Sequence, residues 1–437
     1  MNKIAEELNS QLEGSIAGRL LSRLGSRCYF PRGIVAQAGE AKKAAHMANA
    51  TIGMAFSRGK PLILSAIADG MPTLTPEQTV AYAPTAGVEQ LRNEWQSHIL
   101  KKNPSLKREE ISLPVVTTGL TGGLSAIADL FLEEGQTIIT CDPCWDNYTL
   151  IFDVRREGVI RSVPFLSNTC SCCCQTGLDL EAINQAVREE AEKNGQVRIV
   201  LNFPNNPAGY SPTKTEARAL IELFYGVARD GADVLVICDD AYFGLFYEDS
   251  LYQESPFSFL AGLHERILAV KIDGPIKEDY TWGLRIGFVT FGSRGLNQEH
   301  YNALNTKLTG AIRATVSCSS TPAQYLVLKS LEDNRTAGEK AALKDMMQKR
   351  YIAVKAFIDQ NPNHPVLKPY PCNSGYFVSF DCQGVSSEAL RQELLSKHGI
   401  GVVSLGDRCL RIAFSSLDEE LIAPVFSTVY EVAAKMV

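Results

Sequence analysis

No apolar run in this sequence approaches the ~20 residues that a helix needs to cross a bilayer. Nor is there an excess of positive charge: 43 Lys and Arg stand against 49 Asp and Glu, a net charge of −6. A mildly acidic chain gives no electrostatic reason to expect nucleic acid or an anionic membrane surface as partner. The first residues, Met1-Asn2-Lys3-Ile4-Ala5-Glu6-Glu7, carry early acidic groups and no apolar stretch, so no secretory signal is expected there. Internal repeats, long low-complexity segments and flexible linkers are absent as well. What is present is 437 residues, 45% hydrophobic and 21% charged, the composition of an ordinary globular protein of two or three domains.

Twelve cysteines without a signal peptide point to free thiols in a reducing, cytoplasmic compartment. Most lie singly in apolar segments, as Cys141 and Cys238 do, where the side chain acts as a small hydrophobe. The run Cys170-Ser171-Cys172-Cys173-Cys174 differs. Adjacent thiolates converge poorly on one tetrahedral ion and no distant C-x-x-C pair follows, so no metal is expected.

The middle of the chain alternates apolar runs with amphipathic stretches. Residues 114–118, 137–141, 198–202, 233–238 and 267–270 read as strands covered on both faces. Residues 121–132, 179–193 and 214–229 read as helices between them. That order predicts a largely parallel sheet with helices on both sides. Towards the C-terminus a long helix over 323–358, strands over 375–380 and 410–414, a helix over 387–397 and a last helix from 417 suggest a smaller α/β domain.

Ligands of an open parallel sheet bind beyond the C-terminal ends of its strands, and several residues there draw notice. Thr118-Gly119-Leu120-Thr121-Gly122-Gly123 joins a strand to a helix and could cradle a phosphate on backbone N–H groups. A tight turn with no ligand explains it equally. Trp145 could stack on a planar ring or fill a core. Asn205 and Asn206 could project amides into a site or serve a turn. Asp239 ends a buried strand, where a carboxylate is costly unless partnered. Lys277 sits in a loop after a strand, where a solvated lysine is the commoner reading, and Arg285 follows eight residues later on a short apolar strand. Together, in this order, they supply what pyridoxal phosphate needs: an anion cradle, a face partner, a carboxylate for the pyridine nitrogen and an amine for the aldehyde.

From about Asn49 onward the sequence resembles the class I, fold-type I pyridoxal-phosphate aminotransferases, the aspartate aminotransferase group in particular. The resemblance implies an α/β fold with a large domain built on a mostly parallel, seven-stranded-type sheet, plus a smaller α/β domain. It implies an N-terminal segment over 1–60 contributing to the small domain, a coenzyme-binding domain over 61–314 and a C-terminal small domain over 315–437. Lys277 matches the Schiff-base lysine and Arg285 the phosphate arginine. Leu120 and Thr121 fall at the phosphate turn, and Trp145 matches the ring stacker. Asp239 matches the partner of the pyridine nitrogen, and Asn206 and Tyr242 the donors to the phenolic oxygen. Ile52 and Gly53 lie in the substrate loop, and Arg411 matches the α-carboxylate arginine. Tyr82 matches a residue that reaches a neighbouring subunit's phosphate, which implies a homodimer. Arg313 lies where aspartate aminotransferases supply an arginine to the distal carboxylate, so a dicarboxylic donor is the sharper expectation; a surface arginine at a helix end is the alternative. One departure stands out: Gly274-Pro275-Ile276 occupies the place of a phosphate-binding serine.

The implied reaction is a ping-pong transamination between an L-amino acid and a 2-oxo acid. A lyase, decarboxylase or acyltransferase of the same fold shares these motifs. A coenzyme-binding transcription factor would need a DNA-binding extension, for which residues 1–30 are too short.

Overall fold

The computed structural model describes residues 2–31, 33–167 and 177–436. The cysteine cluster at 170–174 lies outside the described residues.

Seven strands form the main sheet: β1 (Val115–Thr118), β2 (Thr137–Cys141), β3 (Val159–Val163), β4 (Gln196–Asn202), β5 (Asp233–Asp239), β6 (Ile267–Asp273) and β7 (Ile286–Gly292), in the order β1-β7-β6-β5-β4-β2-β3. Every pairing is parallel except those of β7 with β6 and β1. The apolar runs work as read, because successive side chains feed opposite cores. Ile199 and Leu201 pack on one face with helices Leu180–Asn194 and Lys214–Arg229. Val200 packs on the other with helices Gly119–Phe131 and Gln298–Thr315.

A second, antiparallel sheet comprises β8 (Leu367–Pro369), β9 (Phe377–Cys382), β10 (Val403–Leu405) and β11 (Cys409–Ala413), in the order β8-β9-β11-β10. Its core is shared with helices Thr336–Gln360, Ser387–His398 and Glu419–Ala434. Ala48–Asn49 pairs in parallel with Ile400–Gly401, and Ala413 N donates to Ala50 O. These contacts carry Thr51, Ile52 and Gly53 from the start of the chain to β11.

Two expectations are corrected. The helix expected over 323–358 is two, Thr321–Glu332 and Thr336–Gln360. Asp333 interrupts it by turning its carboxylate back onto the Arg335 N–H at 2.8 Å, the local competition that short acidic side chains offer a helix. Arg285 is not on a strand. It adopts the left-handed region (φ 54°) after the turn Trp282–Leu284, one residue before β7. Arg313, ahead of those C-terminal helices as expected, sits in the last turn of Gln298–Thr315.

Candidate active site

Strand direction gathers the site. Helix Gly119–Phe131 starts directly after β1, Trp145 follows β2, Asn206 follows β4, Asp239 ends β5, and Lys277 follows β6. Because β7 runs antiparallel, its first residue pairs with Thr118 and brings Arg285 to the same edge. Leu120, Thr121, Trp145, Asn206, Asp239, Tyr242, Lys277 and Arg285 all line one cavity of about 190 Å³. A wider apolar hollow of about 500 Å³ lies at the opposite edge, where β4 and β5 begin, and gathers none of these groups.

The glycines after β1 serve close approach. Gly119 has φ +68°, and a Cβ there would lie 2.5 Å from the Arg285 guanidinium. The helix behind it has no side-chain cap, so its first N–H groups and Arg285 face the same corner, a setting for a phosphate. Gly274 occupies the departure from the serine pattern for a steric reason: a Cβ there would meet Ile286 O at 2.7 Å and Leu120 Cδ1 at 3.1 Å. Restoring the family residue with Gly274→Ser is therefore expected to weaken coenzyme binding, by about 5- to 150-fold if an overpacking cost of about 1–3 kcal/mol falls on binding. Fluorescence titration of the apoenzyme checks this; tighter binding would contradict it.

Two buried acceptors and donors are left open. Asp239 Oδ2 accepts from the Tyr148 hydroxyl at 2.6 Å, while its Oδ1 has no partner. Burial pushes the Asp239 carboxyl up to about 6, against the Tyr148 hydrogen bond, with Asp240 adding to the rise. A protonated ring nitrogen fits that open oxygen. Arg411, in β11 and 2% exposed, donates from Nη1 to Asn206 Oδ1 and from Nη2 to Thr51 O, both at 2.9 Å, and stacks 4.2 Å over Phe377. Its Nε is unpartnered, and no carboxylate pairs with it among the described residues. A substrate carboxylate fits there.

Two lysines beneath the sheet edge are set apart by their surroundings. Lys271 is fully buried; burial alone would lower its pKa, but Asp240 and Asp273 outweigh it and hold the ammonium above an ordinary lysine. Lys277 donates to Gly53 O at 2.8 Å, and its Nζ lies 5.0 Å from the Tyr242 ring centre. Burial, then the charges of Arg411 and Arg285, push its pKa down to about 7, against Asp239. Of the two, Lys277 is the one without a salt-bridged carboxylate among the described residues, and it holds its proton less tightly. Because only the neutral amine attacks an aldehyde, capture of pyridoxal phosphate by the apoenzyme is expected to quicken as pH rises through about 7 and to level above it. A stopped-flow pH profile still rising steeply above pH 9 would contradict this.

The remaining expected residues stand as follows. Gly53 packs against the site: a Cβ on it would meet Tyr242 Oη and Phe377 Cζ at 3.0 Å and Lys277 Nζ at 3.4 Å. Ile52 is half-buried beside it. Tyr82, 91% exposed, and Arg313, exposed with its guanidinium on Ser317 Oγ, lie outside this cavity of their own chain. Sequence reading missed Tyr148, three residues after Trp145, and Asn202, whose side chain donates to Asp239 O and accepts from Asn206 N. It also missed Phe377 beneath Arg411.

Comparison with known proteins identifies the family. The family model for aminotransferases of class I and II matches residues 54–429. An aspartate aminotransferase of Pyrococcus horikoshii is 24% identical over 78% of this chain and 80% of its own. An arginine–pyruvate transaminase of Pseudomonas aeruginosa is 25% identical over 74% of this chain and 73% of its own. The crystal structure of an aminotransferase from Anaerococcus prevotii superposes with a TM-score of 0.80 at 21% identity, covering 93% of this chain and 97% of that one. Such relatives favour amino transfer over the lyase, decarboxylase and acyltransferase readings. The chain belongs to the class I and II aminotransferases and is a pyridoxal-phosphate-dependent enzyme of fold type I.

Proposed function

We propose that this aminotransferase moves the amino group of a dicarboxylic L-amino acid, such as aspartate or glutamate, to a 2-oxo acid, as a cytoplasmic homodimer with composite sites. The observation that carries the transfer chemistry is the convergence of the Lys277 amine and Asp239, with its open Oδ1, on one cavity, where Arg411 binds the Asn206 of the cavity wall and keeps its Nε open. Among the described residues no helix is long and apolar enough to cross a membrane.

Bound pyridoxal phosphate supplies an aldehyde to carry the amino group and a ring that accepts electron density. The chain's residues do the rest. Lys277 Nζ would hold the aldehyde end of that coenzyme. As a free, neutral amine beside a bound substrate it would take the α-proton and return it. Asp239 Oδ1 holds the proton of the ring nitrogen, and Tyr148 holds Asp239. Trp145 covers a ring face, and Asn206 and Tyr242 fix the phenolic oxygen. Arg285 and the N–H groups at Leu120 and Thr121 seat the phosphate. Arg411 grips the α-carboxylate with a planar fork that a lysine could not reproduce, and Ile52-Gly53 close the substrate side. The division at 60/61 and 314/315 belongs to the same proposal, with 61–314 holding the coenzyme.

One relative is named for aspartate and another for arginine, donors of opposite side-chain charge. The dicarboxylic reading therefore rests on Arg313. Exposed at a helix end, it is available to a second copy of the chain, as is Tyr82. Arg313→Leu is expected to cost kcat/KM for aspartate roughly 2–5 kcal/mol, about 30- to several-thousand-fold, and to leave alanine nearly unchanged. Mixing Arg313→Leu with Lys277→Ala should then recover aspartate activity, because one site of each mixed dimer is intact. Equal losses for both donors, or no recovery on mixing, would count against it.

A further inference from the structure

Lys277 lies in a loop, yet its amine must stay at one place to exchange with a substrate. Loops are ordinarily the mobile part of a fold. This one is held by groups from elsewhere in the chain. Tyr376, one residue before β9 and 0% exposed, donates its hydroxyl to the Lys277 carbonyl oxygen at 2.6 Å. Its ring stands edge-on to Tyr242 at 5.5 Å. Glu278 takes Lys102 at 2.7 Å from helix Glu89–Lys102 and Lys340 at 3.3 Å from helix Thr336–Gln360. Lys340 also pairs with Asp279. The two acidic neighbours of Lys277 are thus pinned by ion pairs, and the peptide of Lys277 itself by one hydroxyl.

We infer that Tyr376 is a positioning residue for the reaction, fixing through its hydrogen bond the peptide from which the Lys277 amine projects. Because that bond is made to the backbone of the reacting residue, it sets where the amine starts, which a salt bridge at the next side chain does not. It also links Lys277 to the sheet that carries Arg411, because β9 pairs with β11. The inference rests on Lys277 being the reactive amine.

The groups facing that amine are Arg411 from β11, Arg285 before β7, Asp239 at the end of β5, and the Tyr242 ring. Without the tether the amine can turn away from the two guanidinium groups, and its pH dependence then moves towards that of an ordinary lysine. A buried tyrosine that merely satisfies its hydroxyl would not do this, so a comparison separates the two roles. Tyr247 is buried in the same region and donates to the Gly375 carbonyl at 2.8 Å, without touching Lys277.

The experiment compares Tyr376→Phe and Tyr247→Phe with the unaltered enzyme. Borohydride reduction and peptide mapping first locate the pyridoxyl group in all three. A label away from Lys277 would overturn the lysine assignment, and the inference with it. With the label on Lys277, Tyr376→Phe is expected to lower kcat about tenfold with KM within about twofold. The midpoint of the pH profile for coenzyme capture by its apoenzyme should rise by about half a unit or more. Tyr247→Phe should leave the midpoint unchanged. If the two variants behave alike, or neither moves the midpoint, Tyr376 is an ordinary core residue and the inference fails.

Discussion

Lys277→Ala is expected to lower turnover by about 10⁴-fold, the upper end of what a positioned acid–base group contributes. A large loss is expected because the proposed mechanism gives one amine two tasks, holding the aldehyde and carrying the α-proton. No neighbour can take over: Lys271 is locked as an ammonium between Asp240 and Asp273. Folding should not suffer. The Lys277 pKa falls from its ordinary value to about 7, so below pH 7 the folded chain carries a buried cation that the unfolded chain hydrates freely. Removing the amine relieves that penalty, so the unfolding temperature of the apoenzyme at pH 6 should be no lower than that of the unaltered chain. A variant with more than a hundredth of the original kcat, measured with any good donor, would show that another group moves the proton.

Asp239→Asn is expected to reduce kcat by about 10²–10⁴-fold, the equivalent of about 3–5 kcal/mol for breaking a buried charge pair. The substitution preserves shape. Tyr148 can still donate to the amide oxygen, so the fold and the cavity should persist. What disappears is the negative charge at Oδ1, which in the proposed mechanism would keep a ring nitrogen protonated and so support the ring's capacity to draw electrons from the α-carbon. Coenzyme should still bind, with the larger effect on kcat than on KM. A fall of less than fivefold at pH 8 would mean that the open oxygen does not face the ring.

The fold was legible where burial is symmetrical. Runs such as Ile199-Val200-Leu201 announce a strand covered on both sides, and the loops after such strands are where residues converge. Hence Trp145, Asn206, Asp239 and Lys277 could be picked out before their distances were known. Tyr148 could not, because a buried tyrosine after a strand reads as core until its hydroxyl is found on Asp239. Thr51 contributes only its carbonyl oxygen to Arg411, and a backbone group leaves no trace in the identity of a residue. The pairing of Ala48–Asn49 with Ile400–Gly401 joins segments about 350 residues apart, beyond any local pattern. Arg285 looked like part of an apolar strand, whereas it takes the left-handed region after the turn Trp282–Leu284 and lays its guanidinium against Gly119. Tyr82 and Arg313 were singled out by resemblance alone. Within one chain they are surface side chains, and any part they take in the site belongs to the proposed homodimer.

The most direct test of this account is chemical capture of the lysine. The holoenzyme, reduced with borohydride at pH 8 and digested, should yield one pyridoxylated peptide, with the modified residue at Lys277. Pre-incubation with an amino donor should abolish the labelling, because the substrate amine then occupies the lysine's place. A label on Lys271 or any other lysine, or labelling that a donor does not affect, would contradict the assignment of the active site.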